Sequence, residues 1–146
     1  MKRLYLDSGA LVKLYVFEPG SEAVQAALAD VRQLSLNPLQ ETEVRTAIHA
    51  AAGRGLLDGA VAGRALAFFD QDVLDGRWIR SEFDWAHVWE RTRSLSDLHA
   101  SATLCRTLDL LHIALAQADH AGAIITGDKR QAEVCRRIAF PVIWVQ

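Results

Sequence analysis

Short apolar runs alternate with segments of helical periodicity along the whole chain, and this alternation limits the fold more than any other feature. The first run, Leu4-Tyr5-Leu6, suits a buried strand, and Asp7 stands where that strand should end. Ser8-Gly9 then opens a helix of about 9–17, closed by Pro19-Gly20, and Ser21 is the expected cap of a second helix reaching about Asp30. Residues 32–36 read as a second strand. Asn37, Pro38 and Gln40 have capping-box spacing and predict a third helix to Ala52, followed by Gly53 and Gly55. Asp58 caps a fourth helix to about Leu74, so the third and fourth form a hairpin. A short strand is expected at 77–80, and a long helix capped by Asp84 carries the stripe Trp85, Val88, Thr92, Leu95, His99 and Ala102. An almost wholly apolar helix follows from Thr107, then a buried strand at 123–126, a helix at 129–138 and a last edge strand at 141–145.

Alternating strands and helices imply right-handed crossovers and a parallel sheet covered on both faces. The expected fold class is α/β, a three-layer α/β/α arrangement with about five strands and about seven helices. With 146 residues, no linker and no repeat, the chain reads as one domain, 1–146. Half of it is hydrophobic (51%) and the net charge is -2, which argues against broad, non-specific nucleic-acid binding but leaves room for a local basic rim. No apolar run is long enough to span a bilayer, and the N-terminus reads as a strand start, so a cytoplasmic protein with no membrane role is expected. Cys105 and Cys135 lack ligand-like spacing and read as buried free thiols.

Four acids stand in places that ask for a reason. Asp7 ends the first strand, where it either caps the next helix or takes part in chemistry. Glu43 lies at the margin of an apolar stripe, as a snorkelling residue paired with Arg45 or Arg64, or as a functional group. Asp109 complements the dipole of its helix, yet that helix is otherwise apolar nearly all round. Asp128 has capping-box spacing to Gln131 and also follows a strand. Helices that link parallel strands start at the edge where the strands end, so all four acids map to one rim. Carboxylates gathered there repel one another, and a hard divalent ion relieves this. Oxygen ligands without Cys or spaced His favour Mg²⁺, with Mn²⁺ as the alternative. Such sites suit in-line displacement at phosphorus.

These residues carry a resemblance. Leu4 to Tyr15 with Glu18-Pro19-Gly20-Ser21-Glu22, Glu43-Val44 with Ala47-Ile48, Arg106 to Ala114, and Ile125-Thr126-Gly127-Asp128-Lys129-Arg130 resemble, in order, the motifs of a PIN domain of the VapC toxin type. The match covers essentially the whole chain, with mild departures at Gln131 and at Ile138-Ala139-Phe140. The resemblance implies a single PIN domain with strand order 3-2-1-4-5. It implies a Mg²⁺-dependent endoribonuclease, the toxin of a toxin-antitoxin pair, acting on RNA as a homodimer and inhibited by a small VapB-like antitoxin that wraps the helical hairpin. By this carry-over Asp7, Asp109 and Asp128 hold the metal, Glu43 binds a second ion or orients water, and Thr126 and Ser8 are supporting hydroxyls. His112 either orients Asp109 or is a packed histidine. His99 reads as a satisfied core histidine. Arg106 and Lys129 flank proposed ligands and are candidates for phosphate contacts. The alternative reading is a non-catalytic module that keeps the fold and binds RNA or a protein partner.

Overall fold

The computed structural model describes residues 3–146. Among these, five strands and seven helices follow one another as β1 (Leu4–Leu6), α1 (Ser8–Val12), α2 (Ser21–Ala27), β2 (Leu34–Leu36), α3 (Pro38–Gly53), α4 (Gly59–Leu74), β3 (Trp78–Arg80), α5 (Trp85–Thr103), α6 (Thr107–Ala118), β4 (Ala123–Thr126), α7 (Lys129–Arg137) and β5 (Val142–Trp144). The α/β class and the element order match the sequence expectation. The expected single sheet of order 3-2-1-4-5 does not form as one ladder. It is replaced by a three-stranded parallel sheet, β1-β4-β5, and a two-stranded parallel sheet, β2-β3. The strands are three or four residues long, so each ladder holds few hydrogen bonds. The chain likewise divides into two compact units, Met1–Asp7 with Glu82–Val145, and Ser8–Ser81 with Gln146.

In the first unit β4 is the central strand, and all four of its residues are buried. Its register sets Leu6 beside Ile125, so the chain leaves β1 at Asp7 just where β4 reaches Thr126. The Asp7 N–H still donates to the Ile125 carbonyl at 3.1 Å, extending the ladder by one bond. Every residue from Leu110 to Ala116 of α6 is buried, which accounts for its lack of a polar face. β5 lies at the sheet edge and is only partly covered, as expected. Ala139, two residues past α7, adopts φ 55°, a left-handed conformation better suited to glycine.

In the second unit the capping box at α3 is complete. Asn37 Oδ1 accepts from the Gln40 N–H at 2.9 Å, and Gln40 Oε1 accepts from the Asn37 N–H at 3.0 Å. Both residues are buried, so no water replaces a lost partner. Asn37→Ala is expected to cost about 1–2 kcal/mol, read as a lower urea midpoint at unchanged slope. Ser21 is a correction. It is the first residue of α2, not its cap, and its Oγ accepts from the Glu18 N–H at 3.0 Å, while Gly20 takes the cap position at φ 96°. α1 is also shorter than expected, because the chain tightens into turns after Val12.

The core of this unit gathers Tyr15, Phe69 and Trp78. Phe69 stands edge-on to Tyr15 at 5.3 Å and tilted to Trp78 at 6.3 Å between ring centres. The Trp78 Nε1–H donates to the Tyr15 hydroxyl at 2.6 Å, which donates in turn to Asp72 Oδ2 at 2.6 Å. Burial, then the Asp72 carboxylate, holds the Tyr15 phenol above its ordinary range, so it stays a neutral donor. Phe68, one residue from Phe69, is exposed, and in the first unit Trp89 is 39% exposed.

Candidate functional site

Three of the four acids belong to the first unit, and two polar side chains tie them together. Asp7 is buried at the end of β1. Thr126, the last residue of β4, is fully buried and donates its hydroxyl proton to Asp7 Oδ2 at 2.5 Å. The same Thr126 Oγ1 accepts the Asp128 N–H at 3.0 Å. A donor to one acid and an acceptor for the next, this hydroxyl fixes the loop out of β4 against the loop out of β1.

Asp128 is the N-cap of α7 and accepts the Gln131 N–H at 2.8 Å. Asp109 lies in the first turn of α6, and its backbone carbonyl accepts from Gln131 Nε2 at 2.9 Å. Both acids thus stand at the N-terminal ends of helices. Asp109 and Asp128 line one open cleft of about 430 Å³ with Arg106, Gly127, Lys129 and Arg130. The three cations there are exposed, and they give the cleft the local basic rim that the overall charge hides.

The two thiols of this unit are buried and free. Burial pushes the Cys105 thiol up to about 12, and the carboxylates of Asp109 and Asp128 add to the effect. Burial and then Asp7 push Cys135 up to about 12 as well. Held neutral in this way, neither thiol is set up as a nucleophile. His112 is buried and shares a 2.8 Å hydrogen bond between its Nδ1 and the Tyr5 hydroxyl. Both rings are packed, edge to face at 5.8 Å. His99 departs from its expectation, since its buried Nδ1 has no hydrogen-bond partner.

Glu43 and Ser8 belong to the second unit, where the Ser8 hydroxyl donates to Glu43 Oε1 at 2.9 Å. Arg45 pairs with Asp70 at 2.6 Å. Glu43 is held by a hydroxyl on α1, a link that helical periodicity alone does not reveal. Gln131 was missed as a site residue because its spacing to Asp128 reads as capping alone.

Among the described residues no three His, Cys, Asp or Glu side chains stand close enough to form a ready-made metal cage. Mg²⁺ takes oxygen ligands and keeps several of its waters, so it does not need an all-protein cage. Asp109 and Asp128 on one cleft, with Asp7 bound to the same Thr126, fit that donor set.

The model of the family described as "PIN domain" matches residues 4–137 of the chain. The chain belongs to the PIN domain family. Ribonuclease VapC46 of Mycobacterium tuberculosis (strain ATCC 25618 / H37Rv) is 30% identical over 145 residues, covering 98% of each chain. This PIN domain is thus similar over its whole length to a VapC-type ribonuclease, as its motifs suggest. The fold also resembles that of VapBC2 from Rickettsia felis, solved bound to a DNA fragment from their promoter, with TM-score 0.66, 14% identity and 98% of each chain covered. FitAcB from Neisseria gonorrhoeae has TM-score 0.66 and 19% identity, with 96% of each chain covered. The PIN match spans both compact units. Among the described residues no helix is long and apolar enough to cross a membrane.

Proposed function

We propose that this PIN domain is a Mg²⁺-dependent endoribonuclease, with Mn²⁺ as an alternative ion, and the toxin half of a toxin-antitoxin pair. The observation that carries the reading is the cleft shared by Asp109, Asp128 and the cations Arg106, Lys129 and Arg130. Acids bind a hard cation and the flanking cations accept a phosphodiester backbone. Asp7, Asp109 and Asp128 would hold the ion, and Glu43 would bind a second ion or orient water. A bound Mg²⁺ supplies polarisation of a phosphoryl oxygen and an activated water. The chain's own residues do the rest. Thr126 keeps Asp7 in one rotamer, Ser8 does the same for Glu43, and the starts of α6 and α7 place Asp109 and Asp128 on the cleft. Arg106 and Lys129 steady the phosphates on either side of the cut bond. The similarity to Ribonuclease VapC46 supports RNA as substrate. The likeness in fold to VapBC2 supports a small VapB-like antitoxin as partner. A cytoplasmic homodimer completes the proposal.

The test is RNA cleavage by purified, antitoxin-free protein. Cleavage is expected with Mg²⁺ or Mn²⁺, to stop on chelation and to return when the ion is restored. Activity that survives chelation would remove the metal from the mechanism. Inactivity on every RNA, together with normal growth of cells expressing the protein, would overturn the enzyme reading.

A further inference from the structure

Gln131, in the first turn of α7, has no exposed surface. Its backbone N–H donates to Asp128 Oδ1 at 2.8 Å and its side-chain Nε2 donates to the Asp109 carbonyl at 2.9 Å. A carbonyl only accepts, so this bond sets which end of the amide faces Asp109. The other end, Oε1, is buried and has no hydrogen-bond partner. A buried amide oxygen without a donor opposes stability, whereas an apolar side chain of similar size would fill the space without that cost. The oxygen side of Gln131 is therefore a burden to the fold. Its nitrogen side joins two helices at their starts, α6 through Asp109 and α7 through the cap Asp128.

We propose that Gln131 is a positioning residue for divalent-ion binding, fixing the backbone of Asp109 against the capped Asp128 so that both carboxylates meet one hard cation at a set spacing. The inference rests on the metal reading above, and Gln131, with no exposed surface, acts through the two acids. Groups that orient metal ligands change affinity by about 10–100-fold when removed. Without the Nε2 bond, the first turn of α6 is free to shift relative to α7, and Asp109 shifts with it. Asp128 keeps its cap bond in any variant, because that bond uses the backbone of residue 131.

The test is calorimetric titration of the purified full chain with Mn²⁺ and with Mg²⁺, in the absence of RNA. Wild type is compared with Gln131→Met, Gln131→Leu and Gln131→Asn, all well below their melting temperatures. Met and Leu remove the amide at similar volume, and Asn keeps an amide that falls one methylene short of the Asp109 carbonyl. All three are expected to bind the ion about tenfold more weakly than wild type, with Gln131→Met melting no lower. Wild-type affinity in folded Gln131→Met would overturn the proposal while leaving the metal site standing. Affinity losses that merely follow losses in melting temperature across the three variants would overturn it too, as the mark of a structural role. A wild-type protein that binds neither ion would overturn both this inference and the metal reading beneath it.

Discussion

Asp7→Asn is expected to abolish Mg²⁺-dependent RNA cleavage, by at least about 100-fold, while leaving the fold intact. The floor follows from the 10–100-fold typically lost when a group that merely orients a ligand is removed; loss of a proposed ligand itself should exceed it. The fold should survive because Asn has the shape of Asp and keeps an oxygen for the Thr126 hydroxyl, which donates to Asp7 at 2.5 Å. Asp7 is buried, and Asp128 joins the same hydroxyl through its backbone. Because Asn matches Asp in shape, the ion-free protein should melt close to the wild-type temperature. Single-turnover cleavage rates and circular-dichroism melts of the chelated protein check the two halves separately. Cleavage at the wild-type rate would remove Asp7 from the site, and an early melt would show that its charge serves the fold.

Phe69→Ala is expected to cost about 3–5 kcal/mol, toward the upper end. Phe69 is 1% exposed and lies between the rings of Tyr15 and Trp78. Such a loss grows with the cavity that remains, hence with how little the neighbours can relax. Here the neighbours are pinned. Trp78 donates to Tyr15 and Tyr15 to Asp72, both at 2.6 Å, so neither ring can move into the space without breaking a part-buried hydrogen bond. A loss of this size is a large share of the 5–15 kcal/mol typical of a folded domain. Urea unfolding followed by Trp fluorescence measures it, and a midpoint within error of wild type would show that the rings repack.

The helix starts were legible in the sequence because capping is local. Asn37, Asp58, Asp84 and Asp128 each accept a backbone N–H two or three residues ahead. Such a bond depends only on residue type and spacing. Gly20 and Ser21 misled for the same reason. Serine is a good cap in isolation, but here its hydroxyl is taken by the Glu18 N–H and a left-handed glycine turns the chain instead.

What the sequence determined by itself was the α/β order of the elements, the buried strand β4, the apolar helix α6 and the positions of Asp7, Asp109 and Asp128 at strand ends and helix starts. All of these follow from periodicity and local hydrogen bonding. What only the tertiary structure decided was which distant side chains meet. The split of the strands into β1-β4-β5 and β2-β3, the Thr126 hydroxyl between Asp7 and Asp128, the hold of Ser8 on Glu43 and the reach of Gln131 to Asp109 all join residues distant in the chain or turn side chains that local rules assign elsewhere. The physical reason is that a side-chain hydrogen bond forms only when packing has already brought donor and acceptor within about 3 Å, and packing is a property of the whole fold.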